Sequence, residues 1–242
     1  SPGSSLRGPP WISSWPIRGP EMRLAEEVRP LLRVGLVRAA PVAVGPAGAD
    51  LLGEMERTAA SLAAGHAGRQ PSEIPGLGPA RDLYRAFRID PTRTRPSSEA
   101  LLRRVLQGKP LPRILNAVDL CNLLSLQFLL PLGLYDSGKI TGEVTLRRGA
   151  PGESYPGIRK DDVHVEGRPV LVDSEGPFGN PTSDSFRTSV TPDTRSLWLL
   201  IFAPAGFPRA TLEGHAARAA DAITRHLSPA GGKTVTEIEV LP

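Results

Sequence analysis

Asn116, Asp119 and Asn122 recur every third residue inside RILNAVDLCNLLSLQFLLPLGLYD (113–136), the most apolar helical stretch of the chain. At about 100° per residue they fall within about 120° of one another, while Leu120, Leu123, Leu124 and Phe128 point in other directions. A buried amide or carboxylate without a partner costs a few kcal/mol. The polar stripe must therefore bond neighbouring main chain, cap the helix, or border a cavity that holds water or ligand. The residue types alone are compatible with each.

Other groups able to do chemistry are sparse. His66, His164, His215 and His226 lack metal-ligand spacing, the last pair standing about 16 Å apart along a helix. Neither a metal centre nor a cofactor is expected. Cys121 is the only cysteine, so an intramolecular disulfide and a cysteine metal cluster are excluded. It has no activating cation nearby in sequence and reads as a small buried filler. EGPFGNP (175–181) matches neither a Walker loop nor a dinucleotide fingerprint and reads as an ordinary loop.

Charge is distributed unevenly. The segment from Arg81 to Arg113 carries a basic excess larger than the formal +4 of the whole chain. Arg81, Arg85 and Arg88 recur at helical spacing with Tyr84 and Phe87 between them, and Arg93 and Arg95 extend the series through a Pro-rich turn. Such a stripe can neutralise phosphates. It is equally compatible with a solvated helix face whose Arg85 and Arg88 bond local carboxylates.

The positioning elements follow from periodicity. Strands are expected over 32–38, 140–148 and 233–241, a central strand over 196–204, and a hairpin over 163–173 turning at Glu166-Gly167. Helices are expected over 47–65, 80–89, 97–108, 116–129 and 211–227, with 174–185 as a loop. The sum is an α+β fold: a mixed or antiparallel sheet packed with helices, most of them in the first half. Length favours one domain over 22–242. Residues 1–21, rich in Pro, Gly and Ser, read as a flexible or loosely docked arm whose Trp11 and Trp15 could rest on the domain. A secretory h-region and an apolar run of about 18 residues are both missing from the sequence, so a soluble cytoplasmic protein is expected.

The helix is also recognisable. Asn-x-Val-Asp-Leu-x-Asn followed by Pro131-Leu132-Gly133-Leu134-Tyr135-Asp136 resembles the B3/B4 domain of the bacterial phenylalanyl-tRNA synthetase β subunit, where a similar helix leads into a turn, which implies a turn over 131–136. ITGEVTLRRGAPGE and TPDTRSLWLL resemble later strands of that domain. With YRAFRIDPTRTRPSSEALLRR, the pattern is similar to freestanding B3/B4 proteins, over roughly Leu32 to Leu241. The resemblance implies a layered α+β fold with a pocket beside the helix, which in the synthetase hydrolyses mischarged tRNA. It places Cys121 at a pocket-lining threonine, Asn122 at a neighbouring asparagine and Gly133 at a pocket histidine. The synthetase's tyrosine-reading glutamate has no counterpart in GNPTSDSFRTSVTPDT, where Asp184 is the nearest acid.

The resulting expectation is a trans-acting aminoacyl-tRNA deacylase. Asn122 and Asp184 are its candidate catalytic residues, and Asn116, Asp119, Cys121, Gly133, Arg187 and Thr188 line the substrate pocket. Arg81, Arg85, Arg88, Arg93 and Arg95 would hold tRNA. Aminoacyl esters are reactive enough to be hydrolysed by positioned water and oxyanion donors without a strong nucleophile. The expected partner is tRNA or aminoacyl-tRNA, with neither DNA nor membrane. Two alternatives stay open: a module that binds charged tRNA without hydrolysis, and a pocket repurposed for a free amino acid or metabolite.

Overall fold

Residues 196–204 were expected as a central strand because their apolar run lacks polar alternation, and packing explains the pattern. The computed structural model describes residues 20–242 apart from Lys160; Trp11 and Trp15 lie outside them. In chain order the elements are β1 (Met22–Leu24), β2 (Leu32–Ala40), α1 (Ala49–Gly65), α2 (Gly78–Ala86), α3 (Ser97–Leu106), α4 (Asn116–Phe128) and β3 (Leu132–Asp136). Then come β4 (Val144–Arg148), β5 (Ser154–Pro156), β6 (Asp162–His164), β7 (Pro169–Asp173), β8 (Gly176–Gly179), β9 (Leu197–Pro204), α5 (Arg209–Leu227) and β10 (Val235–Leu241).

An antiparallel sheet in the order β10-β2-β9-β3 divides two cores. Leu197, Leu199, Ile201 and Ala203 of β9 pack with α1, α3, α4 and α5 on one face. Trp198, Leu200 and Phe202 pack on the other with β4, β7 and Leu83, Tyr84 and Phe87 of the α2 region. A strand buried on both faces needs apolar residues at every position. β2 is split in the same way, with Val37 and Ala39 toward the helices and Leu32, Val34 and Leu36 toward the second sheet. That second sheet runs β1-β4-β7-β8, with β1 parallel to β4, and β5 pairs with β6 separately.

The α+β class is as expected, and three local expectations are corrected. Residues 132–136, where the resemblance implied a turn, form β3, because β9 offers them a full antiparallel register from Leu132–Ile201 to Asp136–Leu197. The loop expected over 174–185 contains β8, recruited by β7. The 163–173 hairpin does not form: β6 pairs with β5, while β7 pairs with β4 and β8. Gly167, at φ 69°, turns the chain from one sheet to the other. No helix among the described residues is long and apolar enough to cross a membrane.

Candidate functional site

The polar stripe of α4 separates into two kinds of residue. Asn116 Nδ2 donates to Ala43 O at 2.9 Å, while its Oδ1 accepts from Gly45 N–H at 3.0 Å and Ala117 N–H at 2.8 Å. Asp119 Oδ1 accepts Ile114 N–H at 2.8 Å. Burial holds its carboxyl above the usual range, opposed by that bond and by the nearby Arg113 charge. These two buried residues fasten the start of α4 to neighbouring backbone. Asn122, half-buried, has no side-chain hydrogen bond among the described residues.

Cys121 faces another group. The loop after β8 covers the open margin of β3: Leu134 N–H donates to Asp184 Oδ2 at 3.3 Å, and Asp136 N–H donates to Thr188 O at 2.9 Å. Among the described residues, Asp184 Oδ1 is buried without a partner, and so is Tyr135 Oη. The two groups miss hydrogen-bond geometry, yet they lie close enough that the Asp184 charge adds to burial in raising the phenol far above its ordinary value. Burial pushes Asp184 up to about 7, opposed by the Tyr135 phenol and Leu134 N–H. The Cys121 thiol is also driven up, by burial and then by Asp184, so it stays protonated and is no nucleophile. Cys121, Asn122 and Asp184 all remain partly exposed.

Gly133 and Gly179 make room for Tyr135. A Cβ on either would overlap the Tyr135 ring, which meets Phe178 edge-on with centroids 5.3 Å apart. The absence of a side chain at Gly133 thus houses a residue two positions further along the same strand face. The Tyr155 phenol donates to Ser183 O and fixes the loop that carries Asp184. Arg187 donates to both Asp173 oxygens, at 3.0 and 2.8 Å, and to Lys139 O at 3.2 Å. Buried Thr188 shares a 3.0 Å hydrogen bond with Ser185 Oγ. Arg187 and Thr188 hold the loop in place from behind. Sequence reasoning missed Tyr135 and Tyr155; reading 132–136 as a strand would have placed Tyr135 beside Gly133.

The basic series is redistributed. Arg81 makes two 2.9 Å bonds to the buried Glu99 carboxylate, which also accepts from Arg103 at 3.2 Å and lies 3.8 Å from Arg95. Burial pushes Glu99 up, but the Arg81 and Arg103 hydrogen bonds outweigh it and hold the carboxyl below its usual range. Arg85 pairs with Asp82 at 2.9 Å. Arg88 and Arg93 instead line an open cleft of about 770 Å³ together with Arg148 and Arg168. Arg95 lines a smaller groove of about 240 Å³ with Arg103, Arg104 and Lys109. Arg148 and Arg168 lie far along the chain from the Arg81–Arg113 segment, and their spacing gave no signal. Among the described residues no group of His, Cys, Asp and Glu could hold a metal ion.

The family model described as the B3/4 domain matches residues 80–226, more than half of the chain. No curated protein matches. Among solved structures, an N-terminal fragment of the phenylalanyl-tRNA synthetase beta-subunit from Pyrococcus horikoshii is similar at 15% identity, with a TM-score of 0.41. The match covers 88% of this chain and 50% of that one, so the chain spans half the length of the fragment.

Proposed function

The chain belongs to the B3/4 domain family, and from that premise we propose that it hydrolyses the ester of a mischarged tRNA at the group formed by Cys121, Tyr135 and Asp184. One observation carries the reading: a half-buried carboxylate with one oxygen fixed on Leu134 N–H and the other, itself buried, without a partner among the described residues, its pKa pushed up to about 7. A general base works best when its pKa lies near the working pH. Asp184 takes a proton from water as that water attacks the ester carbonyl. The tetrahedral intermediate collapses with cleavage of the acyl–oxygen bond, and the proton returns to the departing ribose oxygen. The Tyr135 phenol, held protonated, is a donor for the developing oxyanion, and the Asn122 amide, without a partner among the described residues, orients water or the acyl group. Asn116 and Asp119 act by holding the start of α4, and Arg187 and Thr188 by holding the loop that carries Asp184.

The test is purified protein against a full set of charged tRNAs beside a buffer control. The Asp184→Asn variant is expected to lose about 100-fold or more of the deacylation rate while retaining a cooperative melt. If the wild type leaves every ester intact, the proposal fails. A second reading, retention of charged tRNA without hydrolysis, is favoured by the commitment of Asn116 and Asp119 to main chain, and saturable binding without ester loss would select it.

A further inference from the structure

The cleft between the α2–α3 connection and the turn before β7 has the chemistry of a polyanion site. Its walls include Phe87, Arg88, Asp90, Arg93, Arg148 and Arg168. Its two carboxylates are already engaged: Asp90 Oδ1 accepts Thr92 N–H at 2.8 Å and Thr92 Oγ1 at 2.7 Å, and Glu166 Oε2 accepts Gly152 N–H at 3.0 Å. Arg93 approaches Asp90 only to 3.8 Å, with its side chain 90% exposed. Arg88 and Arg168 have no side-chain hydrogen bond or ion pair among the described residues. Arg148 donates to Gly167 O at 2.9 Å and lies 4.9 Å from the centroid of the Phe87 ring, which leaves most of its donors pre-oriented and unused.

The backbone gives independent support. Ile89 N–H bonds Tyr84 O at 2.9 Å and Arg88 N–H bonds Arg85 O at 2.8 Å, closing α2 in a Schellman motif. Arg88 therefore sits at φ 58°, in the left-handed conformation that such a motif normally gives to glycine. A conformationally unfavourable arginine is kept where its side chain lines the cleft, as happens where function opposes local stability. The cleft is also tied to the loop that carries Asp184. Phe87, Ile89 and Arg168 line a small cavity together with Asn180, Pro181 and Thr182, the residues that lead directly into Asp184.

We infer that this cleft binds the phosphodiester backbone of the RNA whose charged end is proposed to reach Asp184. The inference rests on the RNA part of the proposed function and is independent of the ester chemistry.

The experiment measures binding of end-labelled, uncharged tRNA by fluorescence anisotropy across a salt series, for wild type, Arg88→Gly, Arg168→Gln and the remote control Arg209→Gln. Each cleft variant should bind about tenfold more weakly and reduce the salt slope by roughly 0.7 to 0.9, while the control stays at wild type. Arg88→Gly should at the same time raise Tm by about 2–4 °C, an opposition of stability and binding that a structural role would not produce. Arg168→Gln keeps the test decisive if Arg88→Gly folds poorly. Unchanged affinity and slope in the cleft variants would overturn the inference, as would a wild type that binds no tRNA. AMP or inorganic phosphate competing at micromolar concentration would overturn it in favour of a small phosphorylated ligand. Loss of tRNA affinity in the variants, with esters untouched by the wild type, would leave this inference standing and remove the deacylase. Ester hydrolysis at unchanged KM in the variants would do the reverse.

Discussion

Asp184 imposes a pH dependence of known sign. Its folded pKa, near 7, is raised above the value of about 3.9 of an unfolded chain. Below both values the carboxyl is protonated in either state. Between about 4 and 7 only the folded state holds the proton, so stability falls as pH rises through that window and levels off above it. Relative to Asp184→Asn, the wild type should lose a few kcal/mol between pH 4 and 7, measured by urea unfolding at each pH. Deacylation, after subtraction of spontaneous hydrolysis, should rise over the upper part of the same window, because the base must be ionised. A flat stability difference would mean that Asp184 titrates normally. From sequence, Asp184 was only the acid nearest a missing glutamate. Its raised pKa comes from burial, which outweighs the lowering effect of the Tyr135 phenol and Leu134 N–H, and no spacing rule encodes that.

At the scale of the element, α4 was legible in both extent and polarity, whereas the use of its polar groups was not. Periodicity places Asn116, Asp119 and Asn122 on one side, but only the docking of residues 43–45 decides that the first two bond main chain. Asn116→Ala removes the ties to Ala43 and Gly45 and should cost about 1–3 kcal/mol in chemical denaturation. Asn122→Ala breaks no hydrogen bond among the described residues and should stay within about 0.5 kcal/mol of wild type. Equal losses would contradict this division of the stripe. β3 escaped recognition for a related reason. LGLYD is too short and glycine-interrupted to declare itself, and its conformation is imposed by pairing with β9.

For the whole molecule, the sheet shared by the two cores couples them. β2 and β9 contribute side chains to both, so losing either core exposes a face of the same strands. We predict one cooperative unfolding transition for residues 22–242. Far-UV circular dichroism, weighted toward the helices on one face, and fluorescence of Trp198 on the other should give coincident denaturation curves in a Trp11→Phe, Trp15→Phe background. Separated midpoints would indicate two units. The α+β class was readable because it depends on the order of periodic segments. The arginine cleft was not, since it is assembled by bringing Arg148 and Arg168 across the fold to Arg88 and Arg93. The anchoring of Asp184 to Leu134 has a last consequence. A carboxylate moored to the rim of a sheet has almost no reach, so it cannot swing out after a substrate that arrives askew. Any acyl group processed there must be brought to the carboxylate, and which groups react would be decided by how the rest of the molecule presents them.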